Sequence, residues 1–383
     1  MRWHILTGEY EPQPGGVSDY TTLVAHALAC EGDEVHVWTP SPGAPSGASG
    51  VVVHRLPDHF GPRALTELSR YLRSDRSPRR VLVQYVPQAL GWKGANLGVC
   101  LWLRTLTRES IWVMFHEVAQ PTGRDQPWLR NGLGVVTRVM AGLVARSAER
   151  IFVSTPAWTP EIRAMRHLST PIRWLPVPSA IPTLAGRSDE AWQDDRTPAC
   201  VRAARADGHP LVGNFGTCGA LITPGLFEAL HHLARQSQAR FVLFGRGSDL
   251  AARRAVEQYP ALAGRLHGAG ALAAAEVSRY LTACDVMLQP YPDGVTSRRT
   301  SVMAALAHGR PVVTTLGPLT EPLWHASAGV RLAPANDPAA LAANVVAILK
   351  SPDDAARLSH EALAIYDGCF ALRHTIAALR ARI

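Results

Sequence analysis

The chain is 383 residues long, 47% hydrophobic and 18% charged, with a net charge of +8 at pH 7. That length holds two domains with a core each, and that composition excludes a disordered or fibrous polypeptide. Nearly all the positive charge is arginine, Lys93 and Lys350 being the only lysines, and no basic tract is interleaved with aromatics, so no nucleic-acid partner is expected; the charge reflects either plain arginine abundance or attraction to phosphorylated ligands, lipids or a membrane surface.

Residues 2–8 alternate into a strand, and Glu9 to Gly16 form a Pro/Gly-rich loop. A helix follows from Ser18, with Leu23, Val24, Ala27 and Leu28 on one face, and Gly32 ends it. Glu34–Thr39 is the next strand. Strand, glycine loop, helix, strand is the opening of a parallel, doubly wound α/β sheet. Further strands are predicted at 51–55, 81–85, 111–116 and 151–154, with helices between them. The proline-rich stretch Trp174–Pro182 is a natural exit from a first domain spanning 1–182, and 183–208, polar and aperiodic, reads as a linker or surface excursion.

The pattern restarts at Leu211–Gly216 and opens a second domain over 209–365. A helix is predicted from Pro224 to Gln236, then a strand at Arg240–Phe244, the loop Gly245–Asp249 and a short strand end at Leu266–Gly268. Glu276–Ala283 is helical and Asp285–Pro290 is a strand. A short helix, a strand at Val312–Thr315 and a helix over 338–350 follow. From Ala355 the chain is helical to its end, broken near Asp367-Gly368, with 366–383 a terminal helix that crosses back to the first domain. The six cysteines show no Cys-x-x-Cys spacing, so zinc is not expected and reduced thiols of a cytoplasmic protein are the simplest account. The N-terminus is too short and polar for a signal peptide, and no apolar run reaches the ~20 residues of a membrane span.

The run Tyr291–Thr315 carries the most chemistry. Asp293-Gly294 marks a turn, Ser297 is the expected N-cap, and the helix is predicted to open on Arg298, Arg299, Thr300 and Ser301; Gly309 closes it, with Pro311 beyond. Unpaired amides at a helix start, two guanidiniums and two hydroxyls make a site for a phosphate or diphosphate, whereas the plainer reading is a solvated arginine pair beside ordinary capping. Asp293 either holds a sugar hydroxyl or makes an Asx turn. Gly15 and Gly16 lie between the first strand and first helix, where a backbone approaches a ligand, and the loop lacks Gly-x-Gly-x-x-Gly, which argues against a nicotinamide or flavin enzyme. His116-Glu117 ends the apolar strand Ile111–Phe115 and is placed to bond a ligand hydroxyl or to serve a structural role. The helices near Trp92–Arg108 and Trp128–Arg146 mix Trp, Leu and Val with arginine; they either rest on a membrane or pack with their arginines reaching water.

Six segments in order resemble one family. They are Pro14-Gly15-Gly16-Val17 with Glu31–Thr39, Gly213-Asn-Phe-Gly216, Phe244-Gly245-Arg246-Gly247, Ala283–Pro290, Ala305–Val313 and Phe370–Ala377. Together they resemble the GT-B-fold glycosyltransferases of family GT4, over nearly the whole length. The resemblance implies two Rossmann-like domains facing an interdomain cleft, and retaining transfer from a nucleoside-diphosphate sugar to a glycan, lipid-linked or small-molecule acceptor. Taken with the residue readings above, the expected donor-diphosphate site is Gly15, Gly16, Arg246, Ser297, Arg298, Arg299, Thr300 and Ser301, and the catalytic candidates are His116, Glu117 and Asp293; the resemblance implies that a histidine at the position of His116 touches the donor sugar. No Asp-x-Asp motif is present, so a metal-independent site is expected, with no cofactor beyond the nucleotide-sugar substrate and with peripheral contact at the inner face of a membrane.

The chain departs from the family at two places. The usual pair of glutamates eight positions apart falls on Thr296 and Ala304, and the usual Arg/Lys pair of the second domain is replaced by Thr217–Pro224. The double arginine at 298–299 is the expected substitute for the missing charge. A nucleotide-sugar binder without catalysis and a sugar-nucleotide epimerase remain as alternatives on the same architecture.

Overall fold

The structure, a computed structural model, describes residues 1–43, 50–74, 77–165, 168–183 and 198–381. The chain divides into two units, Met1–Pro176 together with Leu372–Ile383, and Val177–Ala371. In the first unit lie β1 (Arg2–Thr7), β2 (Glu34–Thr39), β3 (Val51–Arg55), β4 (Arg79–Tyr85), β5 (Ser110–Phe115), β6 (Arg150–Val153) and β7 (Ile172–Trp174). They form one parallel sheet in the order β3-β2-β1-β4-β5-β6-β7. The second unit contains β8 (Leu211–Phe215), β9 (Arg240–Phe244), β10 (Leu266–Gly268), β11 (Val286–Gln289), β12 (Val312–Leu316) and β13 (Val330–Pro334). These are also parallel, in the order β10-β9-β8-β11-β12-β13.

Both sheets are covered by helices on their two faces, so their strands are apolar along almost their whole length, as in Val81–Val83 and Val286–Leu288. In each sheet the strand order reverses once, between β1 and β4 in the first and between β8 and β11 in the second. At such a reversal the helices leave on opposite faces and a crevice opens at the carboxyl ends of the strands. The candidate residues fall at these ends.

Several predicted boundaries shift. The edge strands β7 and β13 are short and partly exposed, and the hydrophobic pattern does not show them. Residues 199–206 of the expected linker form a helix, while 184–197 lie outside the described residues. The helix expected over Trp92–Arg108 is a 3₁₀ turn at Trp92–Gly94 followed by a helix at Leu97–Thr105. The break near Asp367-Gly368 is a π-helical turn over Tyr366–Phe370. Among the described residues no helix is long and apolar enough to cross a membrane.

The last helix, Leu372–Arg380, belongs to the first unit and packs beside the helix Gly16–Cys30. Buried Arg80 donates from Nη1 to Leu379 O at 2.9 Å, while its guanidinium lies over the rings of Trp3 (5.4 Å) and Trp112 (4.3 Å). Arg380 pairs with Glu31. A charge held in this way stabilises by cation–π attraction and by capping an otherwise unpaired helix carbonyl.

At the other side of this sheet His4, His36 and His54 stack in sequence, with ring centres 5.0 and 5.2 Å apart, and Trp38 lies on His54 at 3.8 Å. Glu34 accepts from His36 Nε2 at 3.0 Å, which leaves His36 Nδ1 to accept from His54 Nε2 at 2.9 Å. Burial first, and then the neighbouring His36, pushes His54 down to about 4. Folded His54 therefore binds a proton more weakly than an unfolded histidine near 6.5, so its contribution is complete above that pH and is lost as pH falls toward 4. The thermal midpoint is expected to drop between pH 6.5 and 4, and His54→Gln to make that drop shallower. An identical slope in the variant would contradict this account.

Candidate functional site

In the first unit the crevice lies beyond β1, β4 and β5. Gly15 is the N-cap of the helix Gly16–Cys30 and Gly16 its first residue. A Cβ on Gly15 would stand 2.7 Å from Glu9 Oε2, whereas Gly16 faces open space. The small residues thus leave the helix's opening amides accessible to a ligand, and Asp19 sits in the first turn. One turn on, Tyr20 meets the ring of His116 edge-on, with centroids 4.9 Å apart.

His116 follows the last residue of β5 and is buried. Its backbone is locked: its N–H donates to Tyr85 O, and its carbonyl accepts from Ser154 Oγ (3.2 Å) and Trp158 Nε1 (3.1 Å). Its Nε2 is 2.7 Å from Gln84 Oε1 at the end of β4. An amide oxygen only accepts, so the proton sits on Nε2 and Nδ1 keeps a lone pair. Burial pushes His116 down to about 3, so the ring is neutral at working pH and acts as a hydrogen-bonding group, not as a cation. Glu117 is half-buried beside it.

In the second unit the corresponding strand ends are those of β8 and β11. Asn214 Nδ2 donates to Leu288 O at 2.7 Å and reaches Gln289 Oε1 at 3.3 Å, tying the two central strands together at the reversal. Beyond β11, Tyr291 is fixed to β12: its N–H donates to Thr315 Oγ1 (2.8 Å) and its carbonyl accepts from the same hydroxyl (2.6 Å). Gly294 then turns the chain at φ 87°, where a Cβ would stand 2.5 Å from Gly317 N, so a glycine is needed for both conformation and space.

The helix here begins at Thr300 and ends at Ala307, with Arg299 at the N-cap position. Ser297 is not the cap that the sequence predicts. It is buried, with its N–H and hydroxyl both donated to Glu321, at 2.7 and 2.5 Å, and Glu321 also accepts from Trp324 Nε1 at 2.7 Å. Arg298 and Arg299 therefore precede the helix and do not form its first turn. Both guanidiniums pair with the carboxylate of Asp293, Arg298 at 3.3 Å, and that of Arg299 lies 4.4 Å over the ring of Tyr291. Tyr291 in turn bonds Ser301 Oγ at 2.7 Å, and burial pushes its hydroxyl up to about 12. Gly294 N–H bonds Tyr291 O, and the Asp293 side chain holds the arginines in place of an Asx turn.

The structure thus brings Asp293, Arg298, Arg299 and Ser301 together at the start of one helix, with Thr300 as its first residue. Arg246 stands exposed in the loop between β9 and the helix Ser248–Gln258. Thr296 and Ala304, at the positions of the missing glutamates, are buried. Two guanidiniums share the carboxylate of Asp293 beside the opening amides of a helix, a combination suited to an anion. Sequence reasoning missed Gln84, Asn214, Gln289, Tyr291 and Glu321. The available signal was a lone polar residue at the end of an apolar strand, as in Val-Leu-Val-Gln84 and Val-Met-Leu-Gln289.

Comparison with known proteins matches residues 216–351 to a family described as glycosyl transferases group 1, and residues 15–179 to a glycosyl transferase 4-like domain. No curated protein sequence matches the chain. Among solved structures, the sucrose-phosphate synthase of Thermosynechococcus elongatus is similar at 17% identity and TM-score 0.69, covering 99% of this chain and 97% of its own. HepE of Anabaena, in complex with UDP and glucose, is similar at 14% identity and TM-score 0.69, covering 99% and 98%. WaaG, a glycosyltransferase involved in lipopolysaccharide biosynthesis, is similar at 14% identity and TM-score 0.67, covering 99% and 100%. At these identities the likeness to solved structures is one of fold.

The carboxylate of Asp293 competes with any anion for the two guanidiniums. Asp293→Asn is expected to tighten the binding of inorganic pyrophosphate about three- to fivefold, the size of a partly exposed ion pair. Titration calorimetry reads this directly, and unchanged or weaker binding would show that the arginines do not take the anion.

Proposed function

We propose a donor-gripping role for the arginine pair of a chain that belongs to the glycosyl transferases of group 1. It is a GT4-like glycosyltransferase with two parallel-sheet domains of the GT-B kind, and nucleotide-sugar is its donor class. In the proposed reaction the sugar leaves its nucleoside diphosphate for a glycan or lipid-linked acceptor, with retention of anomeric configuration as the family resemblance implies. The observation that carries the reading is the joint placement of Arg298 and Arg299 before Thr300 and Ser301 at one helix start.

As the bond from the anomeric carbon to the diphosphate breaks, negative charge grows on the phosphate oxygens. Guanidiniums and helix amides already aimed at that position stabilise it without reorganising. Arginine would supply that charge without a metal ion, and no further cofactor enters the scheme. An arriving diphosphate displaces Asp293 from the pair, which frees its carboxylate for a hydroxyl of the bound sugar. On the first unit, taken by itself, Gly15 and Gly16 leave helix amides open to an anionic group, and neutral His116 keeps an Nδ1 lone pair to which a ligand hydroxyl can donate. Glu117 is the proposed partner for an acceptor hydroxyl, and Arg246 for an outlying phosphate oxygen. Among the neighbours, HepE is known with UDP-glucose, which supports a nucleotide-sugar of this chemical class.

Contact with a membrane is the second part of the reading. The helix Trp128–Ser147 leaves Trp128, Gly132, Val135 and Val139 exposed at helical spacing, and the adjoining helix Leu97–Thr105 exposes Leu97 and Leu101. Six of the large exposed apolar side chains fall within 97–139, Trp128 at 78% and Leu129 at 64% among them, beside exposed Arg104, Arg108, Arg124 and Arg130. An apolar stripe edged by arginines complements an anionic lipid surface.

Replacing Arg298 and Arg299 together by alanine should weaken UDP binding by about 2–4 kcal/mol if both charges are desolvated in the complex. A thermal-shift screen against UDP-, GDP-, ADP- and dTDP-sugars should show stabilisation by one base class, lost in the double variant. Unchanged affinity removes the diphosphate assignment. For the surface, sedimentation with vesicles containing phosphatidylglycerol should carry the protein down and neutral vesicles should not, and Trp128→Ser with Leu129→Ser should abolish the difference. Equal sedimentation with both vesicle types would refute it.

A further inference from the structure

A cavity of about 550 Å³ in the first unit is not explained by the donor site. It lies beyond the carboxyl ends of β1 and β4, and its lining includes two carboxylates, Glu9 and Asp58, together with Gln13, His59, Gln88, Trp92 and Lys93. Its walls are three loops held rigidly against one another. A Cβ on Gly8 would run into Ala89 O, and one on Gly91, at φ 88°, would come within 2.6 Å of His59 O. Buried Asn96 donates from Nδ2 to Leu90 O (2.9 Å), His59 O (3.3 Å) and Phe60 O (3.3 Å), joining two of the loops. Asp58 accepts from the amides of Gly61, Arg63 and Ala64, so its carboxylate holds the loop in shape.

Five non-glycine residues in these loops adopt left-handed backbone: Asp58, His59 and Phe60 at φ 51°, 45° and 59°, and Trp92 and Lys93 at 52° and 55°. Such conformations persist only where the surroundings over-determine them, and they gather at ligand sites. The strain here presents Trp92, 59% exposed, and Lys93 side by side at the cavity mouth. An aromatic face with the side-chain amides of Gln13 and Gln88 is suited to the mixed apolar and hydroxyl faces of a pyranose ring. An ammonium beside it, one of two lysines in the chain, adds a point charge for an anion.

We propose that this cavity seats the terminal sugar of the acceptor, and that this sugar carries an anionic substituent, carboxylate or phosphate, which Lys93 pairs. The inference rests on the reading of the chain as a transferase, and it specifies the acceptor's chemistry. Trp92 takes the ring face, Gln13 and Gln88 the hydroxyls, and Lys93 the charge.

The test is titration of the full chain with methyl glucuronide, glucose 6-phosphate and methyl glucoside at low salt, followed by ligand-observed NMR, with UDP titrated in the same samples. At least one anionic sugar is expected to bind about fivefold more tightly than the neutral glucoside, and Lys93→Gln to remove that preference. Which anion is preferred distinguishes carboxylate from phosphate. Trp92→Ala should weaken all three sugars by about tenfold and leave UDP unchanged. Absence of sugar binding, a neutral sugar bound as tightly as the anions, or a preference that survives Lys93→Gln would overturn the proposal. UDP binding retained in those cases leaves the donor assignment standing, whereas loss of UDP binding in the wild type strikes the donor assignment by itself.

Discussion

Parallel strands buried on both faces leave little of a sheet free to meet a ligand. The interior must be apolar because helices cover it, and the edges are short, so polar chemistry is confined to the loops at the carboxyl ends. Both sheets of this chain obey that constraint, and in each the strand order reverses beside the loop that carries the candidate residues. Gln84 with His116 in one sheet, and Asn214 with Gln289 in the other, are the last polar groups of otherwise apolar strands, bonded to one another across neighbouring strands. The reversal positions the chemistry, and the hydrogen bonds between strand ends keep it in register.

In the second unit the resulting charge arrangement is economical. Asp293 neutralises half of the Arg298–Arg299 pair, and the aromatic ring of Tyr291 supports one guanidinium from below. An arginine pair without a counter-ion would repel itself and stay hydrated. With one carboxylate between them, both side chains are held in one orientation, the kind of arrangement that lowers the ordering a ligand would demand. Glu321 has a different part: buried, with three hydrogen bonds from Ser297 and Trp324, it fixes the segment that leads into the arginines. The family's two carboxylates are missing at 296 and 304, but carboxylates still organise this loop from 293 and 321.

How much of this was legible in the sequence depended on the range of the interaction. The central strands were readable because burial on both faces writes itself as continuous Val, Ile and Leu. The edge strands β7 and β13 were not, since exposed Arg173 and half-exposed Arg331 interrupt that pattern. The helix Thr300–Ala307 is legible in its closing Gly309, but it begins two residues later than the sequence predicts. Serine is a good cap by local rules, and the hydroxyl of Ser297 is engaged by Glu321, 24 residues further on, which no local rule encodes. The cavity loops were invisible for a similar reason. Left-handed Asp58–Phe60 and Trp92–Lys93 are imposed by backbone packing between segments far apart in sequence, against the preferences of those residue types.

The return of Leu372–Arg380 to the first unit also bears on how the molecule is made. Synthesis proceeds from the amino terminus, and domains commonly fold as they emerge. Here the surface formed by Trp3, Trp112 and Arg80 waits for a helix that is made only after the whole of the second unit. The first unit is therefore discontinuous along the chain, and the face that Arg80 shares with Trp3 and Trp112 stays open until Leu372–Arg380 has been made and has docked.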